Sequence, residues 1–182
     1  MILNKHTPSN KVAGFTLIEL VVVIILLSIL SVSVFSRFSG TSGYAEYTYQ
    51  ARLVSALRNM QTRAMYDNRG GYCFKINFNS SAAAFGPPTL DYTSGTSSSI
   101  SATCSSNIDF SNPDYLSTTA TEMASEGVGL STQPNFNSID FDDLGRPQLE
   151  SGNCSATCKI TMTGESAASV CIESQGYIHA CE

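Results

Sequence analysis

Apolar and polar positions divide this chain into successive regimes. Residues 1–14, MILNKHTPSNKVAG, are mixed and carry Lys5, Lys11 and Pro8, with no period that would bury a face. From Phe15 to Phe38 nearly every position is apolar. Ser28, Ser31, Ser33 and Ser36 interrupt this run without changing its character, and one carboxylate, Glu19, stands near its start. At about 1.5 Å per residue the run predicts about 36 Å of helix, enough for a hydrocarbon core of about 30 Å. From Tyr44 to Arg69 the period is helical: Leu53, Leu57, Met60 and Ala64 fall at i, i+4, i+7 and i+11, one stripe that a sheet would cover. Gly40 and Gly43 weaken the join, and Gly70 and Gly71 stop the helix.

Beyond Gly71 the period becomes two. GYCFKINF, residues 71–78, sets Tyr72, Phe74, Ile76 and Phe78 against Cys73, Lys75 and Asn77, and reads as a strand. Residues 79–135 are rich in serine, threonine, glycine and asparagine; they predict short strands joined by long loops, with one short helix around Tyr115 to Ser125. NSIDFDDLGRPQ, residues 137–148, reads as a strand into a turn at Gly145. CKITMTG, ASVCIES and GYIHAC alternate and read as three antiparallel strands. The fold class is therefore α+β: a long amino-terminal helix and an antiparallel β-rich head, with boundaries at 1–14, 15–38, 39–69 and 70–182.

Charge narrows the partners. The formal net charge is −5, and without Lys5 and Lys11 the remainder holds eight basic against fifteen acidic side chains. Such a body is a poor partner for phosphate backbones, and no nucleic acid is expected. Lysines ahead of the apolar run predict a cytoplasmic amino terminus, which places the acidic remainder across the membrane. Six cysteines, Cys73, Cys104, Cys154, Cys158, Cys171 and Cys181, all follow the apolar run and are disulfide candidates in an oxidising compartment. Cys158 could face Cys171 across the first hairpin or Cys171 could face Cys181 across the second, but not both; Cys154 can also close a short loop with Cys158, and connectivity stays open. A zinc site from these cysteines and His179 is the rival reading, against which the spacing of Cys154 and Cys158 counts. Neither His6 nor His179 sits in a recognisable catalytic arrangement, and there is no nucleophile elbow or phosphate loop, so no enzyme is expected.

The order of the amino-terminal features is inverted for a secretory signal, because the small residues Ala13 and Gly14 precede the apolar core. Gly14, Phe15, Thr16, Leu17, Ile18 and Glu19, followed by a long apolar run, resemble the prepilin signal of type IV pilins and type II secretion pseudopilins. The resemblance implies cleavage between Gly14 and Phe15 by a prepilin peptidase and N-methylation of Phe15. It also implies an assembly register in which Glu19 pairs with the Phe15 amine of an adjacent subunit. Its implied partners are other pilins, the prepilin peptidase, an inner-membrane assembly platform and, before assembly, the membrane itself; it implies no cofactor. The implied location is the bacterial inner membrane, single-pass with a periplasmic head, and then a pilus.

Finer likenesses exist. Major pilins commonly carry a proline about twenty residues after the cut; here Phe35, Ser36 and Arg37 stand near that place, which points to a minor pilin or pseudopilin. QTRAMYDNRG leading into a strand resembles the H-type pseudopilin head. FDDLGRP and GYIHAC resemble minor pilins of the mannose-sensitive haemagglutinin pilus type. Asp140, Asp142 and Asp143 are calcium candidates of the kind some pseudopilins use, but their spacing is not that of an EF-hand loop and turn chemistry is the better reading. The resemblance implies a minor pilin assembled into, or initiating, a pilus for surface attachment. The alternatives are a type II secretion pseudopilin and a tip adhesin or DNA-uptake receptor.

Overall fold

The computed structural model describes residues 16–38, 42–67, 69–92, 101–111, 114–150 and 154–181. The chain divides into two units, Met1–Gly40 and Thr41–Glu182. The first contributes helix α1, Leu17–Phe38. Thr16 precedes it, and its Oγ1 accepts the N–H of Glu19 at 3.3 Å. A threonine followed three residues later by glutamate is the sequence form of a helix-start box. Ser28 Oγ donates to the Ile24 carbonyl at 2.7 Å and Ser31 Oγ to the Ser28 carbonyl at 2.9 Å, so both hydroxyls are satisfied within the helix. The expected join near Gly40 lies outside the described residues.

The second unit is built on helix α2, Ala45–Tyr66. Tyr49, Leu53, Ala56, Leu57, Met60 and Ala64 are buried, the stripe at helical spacing broadened by Tyr49 and Ala56. The helix ends at Tyr66, three residues before the expected stop at Arg69. Asp67 is extended, and its carboxylate takes the backbone N–H of Arg69 at 3.2 Å and the Nε of the same residue at 2.8 Å. A local aspartate turn thus replaces the last helical bonds.

Two antiparallel sheets of four strands cover α2. One has the order β2-β1-β4-β5, from β1 (Lys75–Asn79), β2 (Ala84–Gly86), β4 (Ser138–Phe141) and β5 (Pro147–Leu149). The other has the order β3-β6-β7-β8, from β3 (Gly129–Gln133), β6 (Thr157–Thr163), β7 (Ala167–Glu173) and β8 (Ile178–Cys181). Ile76, Phe78 and Ile139 of the first sheet and Ile160, Met162, Val170 and Ile172 of the second share one core with α2. A short helix α3, Ala120–Ser125, follows a single 3-10 turn at Asp114–Leu116. Pro147 opens β5 at the sheet edge, where its missing N–H costs no ladder bond.

Residues 101–111 run over the outer face of the first sheet. The side-chain amide of Asn77 donates to the carbonyls of Ser105 and Asn107 at 3.0 and 2.9 Å, and the N–H of Cys73 donates to Thr103 Oγ1 at 3.0 Å. Cys73–Cys104 staples this segment, with Cα atoms 4.9 Å apart. Cys154–Cys158 closes the short loop before β6, and Cys171–Cys181 ties β7 to β8. Of the hairpin pairings left open, the one across β7 and β8 is formed and Cys158 stands opposite Ile172 instead of Cys171.

Candidate functional site

Glu19 lies in the first turn of α1, with its backbone fixed by Thr16. The residues expected at the cleavage junction, Gly14 and Phe15, lie outside the described residues. On both sides of Glu19 in sequence the side chains are mostly aliphatic all round the helix and largely exposed: Leu17 is 81% exposed, Leu20 61% and Leu30 60%. In α2, by contrast, the apolar stripe is closed off by its own sheets. A helix with apolar groups all round is stable only when another apolar phase covers it. A crossing is expected over residues 15–38; among the described residues no helix is long and apolar enough to cross a membrane.

Several charged groups of the head are held in pairs. Arg52 of α2 reaches Glu122 of α3 at 2.7 Å and also donates to Thr118 Oγ1. Asp142 accepts the backbone N–H of Arg146 at 2.7 Å and pairs with its guanidinium, also at 2.7 Å. These bonds hold its carboxyl below the usual carboxylate range, against burial that pushes it up. Asp140 is occupied differently: its Oδ1 accepts the N–H groups of Phe74 and Phe141 at 2.9 and 2.8 Å, and burial raises its pKa. The three aspartates considered for calcium are not brought together, and among the described residues no group of three His, Cys, Asp or Glu side chains is placed to hold a metal. All six cysteines are in disulfides, so the thiolates of the zinc reading are committed elsewhere. His179 Nε2 meets Glu173 Oε1 at 3.2 Å, and its ring stacks on Tyr177.

Two residues that the sequence reading passed over fasten the ends of α2. Glu46, fully buried, accepts the N–H of Ser166 from the β6–β7 turn. Gln61 Nε2 donates to the carbonyls of Gly145 and Gly176 at 2.7 and 2.6 Å and joins two turns to the helix. Thr16 was readable, since threonine and glutamate stand at helix-start spacing. Glu46 and Gln61 give no such signal, because their partners are far along the chain.

A family model described as the prokaryotic N-terminal methylation motif matches residues 9–35. Among curated proteins none matches this chain. Two crystal structures of the type IV minor pilin FimU of Pseudomonas aeruginosa (strain PAO1), in space groups P65 and P21, are similar at 10% identity with TM-scores of 0.45 and 0.46. Each alignment covers 75% of this chain, with 92% and 88% of the FimU chains. Over residues 9–35 the chain thus carries a prokaryotic N-terminal methylation motif, with an apolar helix from Leu17 and an α+β head beside it in the same sequence.

Proposed function

We propose that this chain is a minor pilin. It is cut between Gly14 and Phe15 by a prepilin peptidase, methylated on the new amine of Phe15, and held in the inner membrane by residues 15–38 with its head in the periplasm. The assembly platform then draws it into a pilus used for surface attachment. Proteins of this type IV pilin-like class are structural and not enzymatic. The observation that supports the reading is α1: apolar on all sides, exposed along its described length, and carrying one carboxylate in its first turn.

A lone carboxylate in a membrane helix costs about 2.5–3.5 kcal/mol at the centre and less toward an interface. Four residues separate Phe15 from Glu19, about 6 Å of helical rise. Pairing Glu19 with the Phe15 amine of a neighbouring subunit offsets the cost and selects one axial stagger, while the aliphatic side chains supply the bulk of the attraction.

The test is the intact mass and first residue of the membrane-extracted chain, with and without prepilin peptidase. A chain that begins at methylated Phe15 only when the peptidase is present supports the route; one that begins at Met1 with active peptidase overturns it. Gly14→Ala should leave the leader attached. Glu19→Ala should be trimmed normally and yet enter filaments poorly, and normal co-assembly of that variant would remove the register role. The second reading, a type II secretion pseudopilin, draws on the lack of a proline near Phe35. It predicts loss of protein secretion, with pili intact, when the chain is deleted.

A further inference from the structure

One face of the head carries a groove of about 900 Å³. It runs between the end of β1, the β1–β2 turn, residues 106–110, the start of α3 and the residues leading into β4. Small-ligand sites commonly span about 300–1,000 Å³. The lining is unusual for a chain with this much acid, because none of the groove residues is charged. Asparagine carboxamides and serine and threonine hydroxyls alternate with apolar surface from Phe78, Ile108 and Phe110.

Three of the carboxamides are uncommitted. Asn107 spends its backbone on the fold: its carbonyl accepts from Asn77 at 2.9 Å and its N–H donates to Ser105 Oγ at 3.2 Å. The carbonyl of Asn137 accepts the N–H of Phe78 at 2.7 Å. The side-chain amides of Asn107, Asn135 and Asn137 have no partner among the described residues. Phe110 is 47% exposed beside them. The walls are fixed: Phe78 meets Phe136 edge-on at 5.7 Å, and the Cys73–Cys104 disulfide pins the segment that brings in Asn107 and Phe110.

This chemistry selects a class of ligand. A carboxamide donates and accepts at once, as a sugar hydroxyl does, so each pairs with the other without either carrying charge. An exposed aromatic ring offers a flat apolar surface to the C–H face of a pyranose. A phosphodiester or a sialylated glycan would find no cation in the lining. We propose that this groove binds a neutral oligosaccharide, with Asn107, Asn135 and Asn137 bonding its hydroxyls and Phe110 packing on a ring. The proposal goes beyond the assembly reading and does not depend on it.

The test uses the full chain in a detergent without a sugar head group. Neutral trisaccharides of glucose, mannose, galactose and N-acetylglucosamine, and a sialylated trisaccharide, are presented in ligand-observed saturation-transfer NMR and titrated. At least one neutral trisaccharide is expected to bind, with an affinity unchanged between about 50 and 500 mM salt. Asn135→Ala and Phe110→Ala, both at exposed positions, should each weaken it at least about tenfold, while the melting temperature stays at the parent value. If either variant melts lower, Asn107→Ala takes its place. No binding of any neutral trisaccharide at about 5 mM, near the limit of about 3 kcal/mol of binding free energy, overturns the proposal. So does binding that survives the substitutions, or a preference for the sialylated ligand.

Discussion

The Oε1 atom of Glu46 accepts the backbone N–H of Ser166 at 2.9 Å, across 120 positions of sequence. The carboxylate sits in the first turn of α2 with no exposure to solvent, and Gly164 packs so closely on it that any Cβ there would meet Oε1. One charged group thereby holds the β6–β7 turn to the start of the helix.

That bond depresses the carboxyl pKa of Glu46, the N–H of Ser166 outweighing the opposing effect of burial. A depressed folded pKa contributes stability that is present above the unfolded value and lost as pH falls through the folded one. Glu46→Ala should cost about 2–3 kcal/mol at neutral pH, because it empties a packed site and strands an amide. Urea melts at neutral and acid pH check this: the gap between parent and variant should narrow in acid. A gap that does not change with pH would mean that the charge contributes nothing.

Gly176 has φ +89°, and a Cβ on it would run into the Gly145 carbonyl and come within 2.7 Å of Gln61 Nε2. The left-handed backbone alone makes alanine there cost about 1 kcal/mol. Displacing the two turns from Gln61 should bring Gly176→Ala to about 2–4 kcal/mol. Denaturant unfolding of this variant beside Gln61→Ala measures it, and a change under about 0.5 kcal/mol would show that the turns give way freely.

Asp140 shifts the other way, because burial raises its pKa. An acid with a raised folded pKa penalises the fold once ionised; the penalty is complete above the folded pKa and absent below the unfolded one. Asp140→Asn keeps an oxygen for the N–H groups of Phe74 and Phe141 and removes the charge. It should match or exceed the parent in stability at neutral pH and lose that advantage in acid, whereas Asp140→Leu should lose about 2 kcal/mol at both. Paired thermal melts decide, and a destabilised asparagine variant at neutral pH would show that the carboxylate itself is needed, for instance by Lys75.

His179 is held above the ordinary histidine pKa by its bond to Glu173, with the Ala180 carbonyl adding to the effect. Its stabilisation is complete below the unfolded pKa and is lost as pH rises through the folded one. Imidazole NMR should show a raised midpoint in the parent and a return toward the ordinary value in Glu173→Gln. Equal midpoints would place the shift elsewhere than in this pair.

What could be read from sequence were features whose meaning is local. The Gly14–Glu19 order is set by neighbouring residues, the Leu53–Met60 stripe by helical period, and β6, β7 and β8 by alternation. β3 escaped because GLSTQ is an edge strand with much of its surface in water, and its pairing with β6, not its own composition, makes it a strand. β2 is three residues and is defined by β1. Glu46 looks like any surface acid in a first helical turn until the β6–β7 turn closes over it. The groove amides are scattered at 107, 135 and 137, and only the pairing of β1 with β4 and the Cys73–Cys104 staple bring them side by side.

The wide sequence gaps bridged by α2 also set an order of events during synthesis. Glu46 waits for Ser166, Gln61 for Gly176, and Arg58 for the Ile178 carbonyl, which it reaches at 2.8 Å. Emerging from the ribosome, α2 is complete at Tyr66, long before β6, β7 and β8, which begin at Thr157, Ala167 and Ile178, can close over it. A chain halted short of β8 displays that greasy stripe to proteases and holdase chaperones, and a finished one hides it. Burial of that stripe is therefore the mark of a finished head, since both ends of α2 are fastened by residues from its last strands and turns.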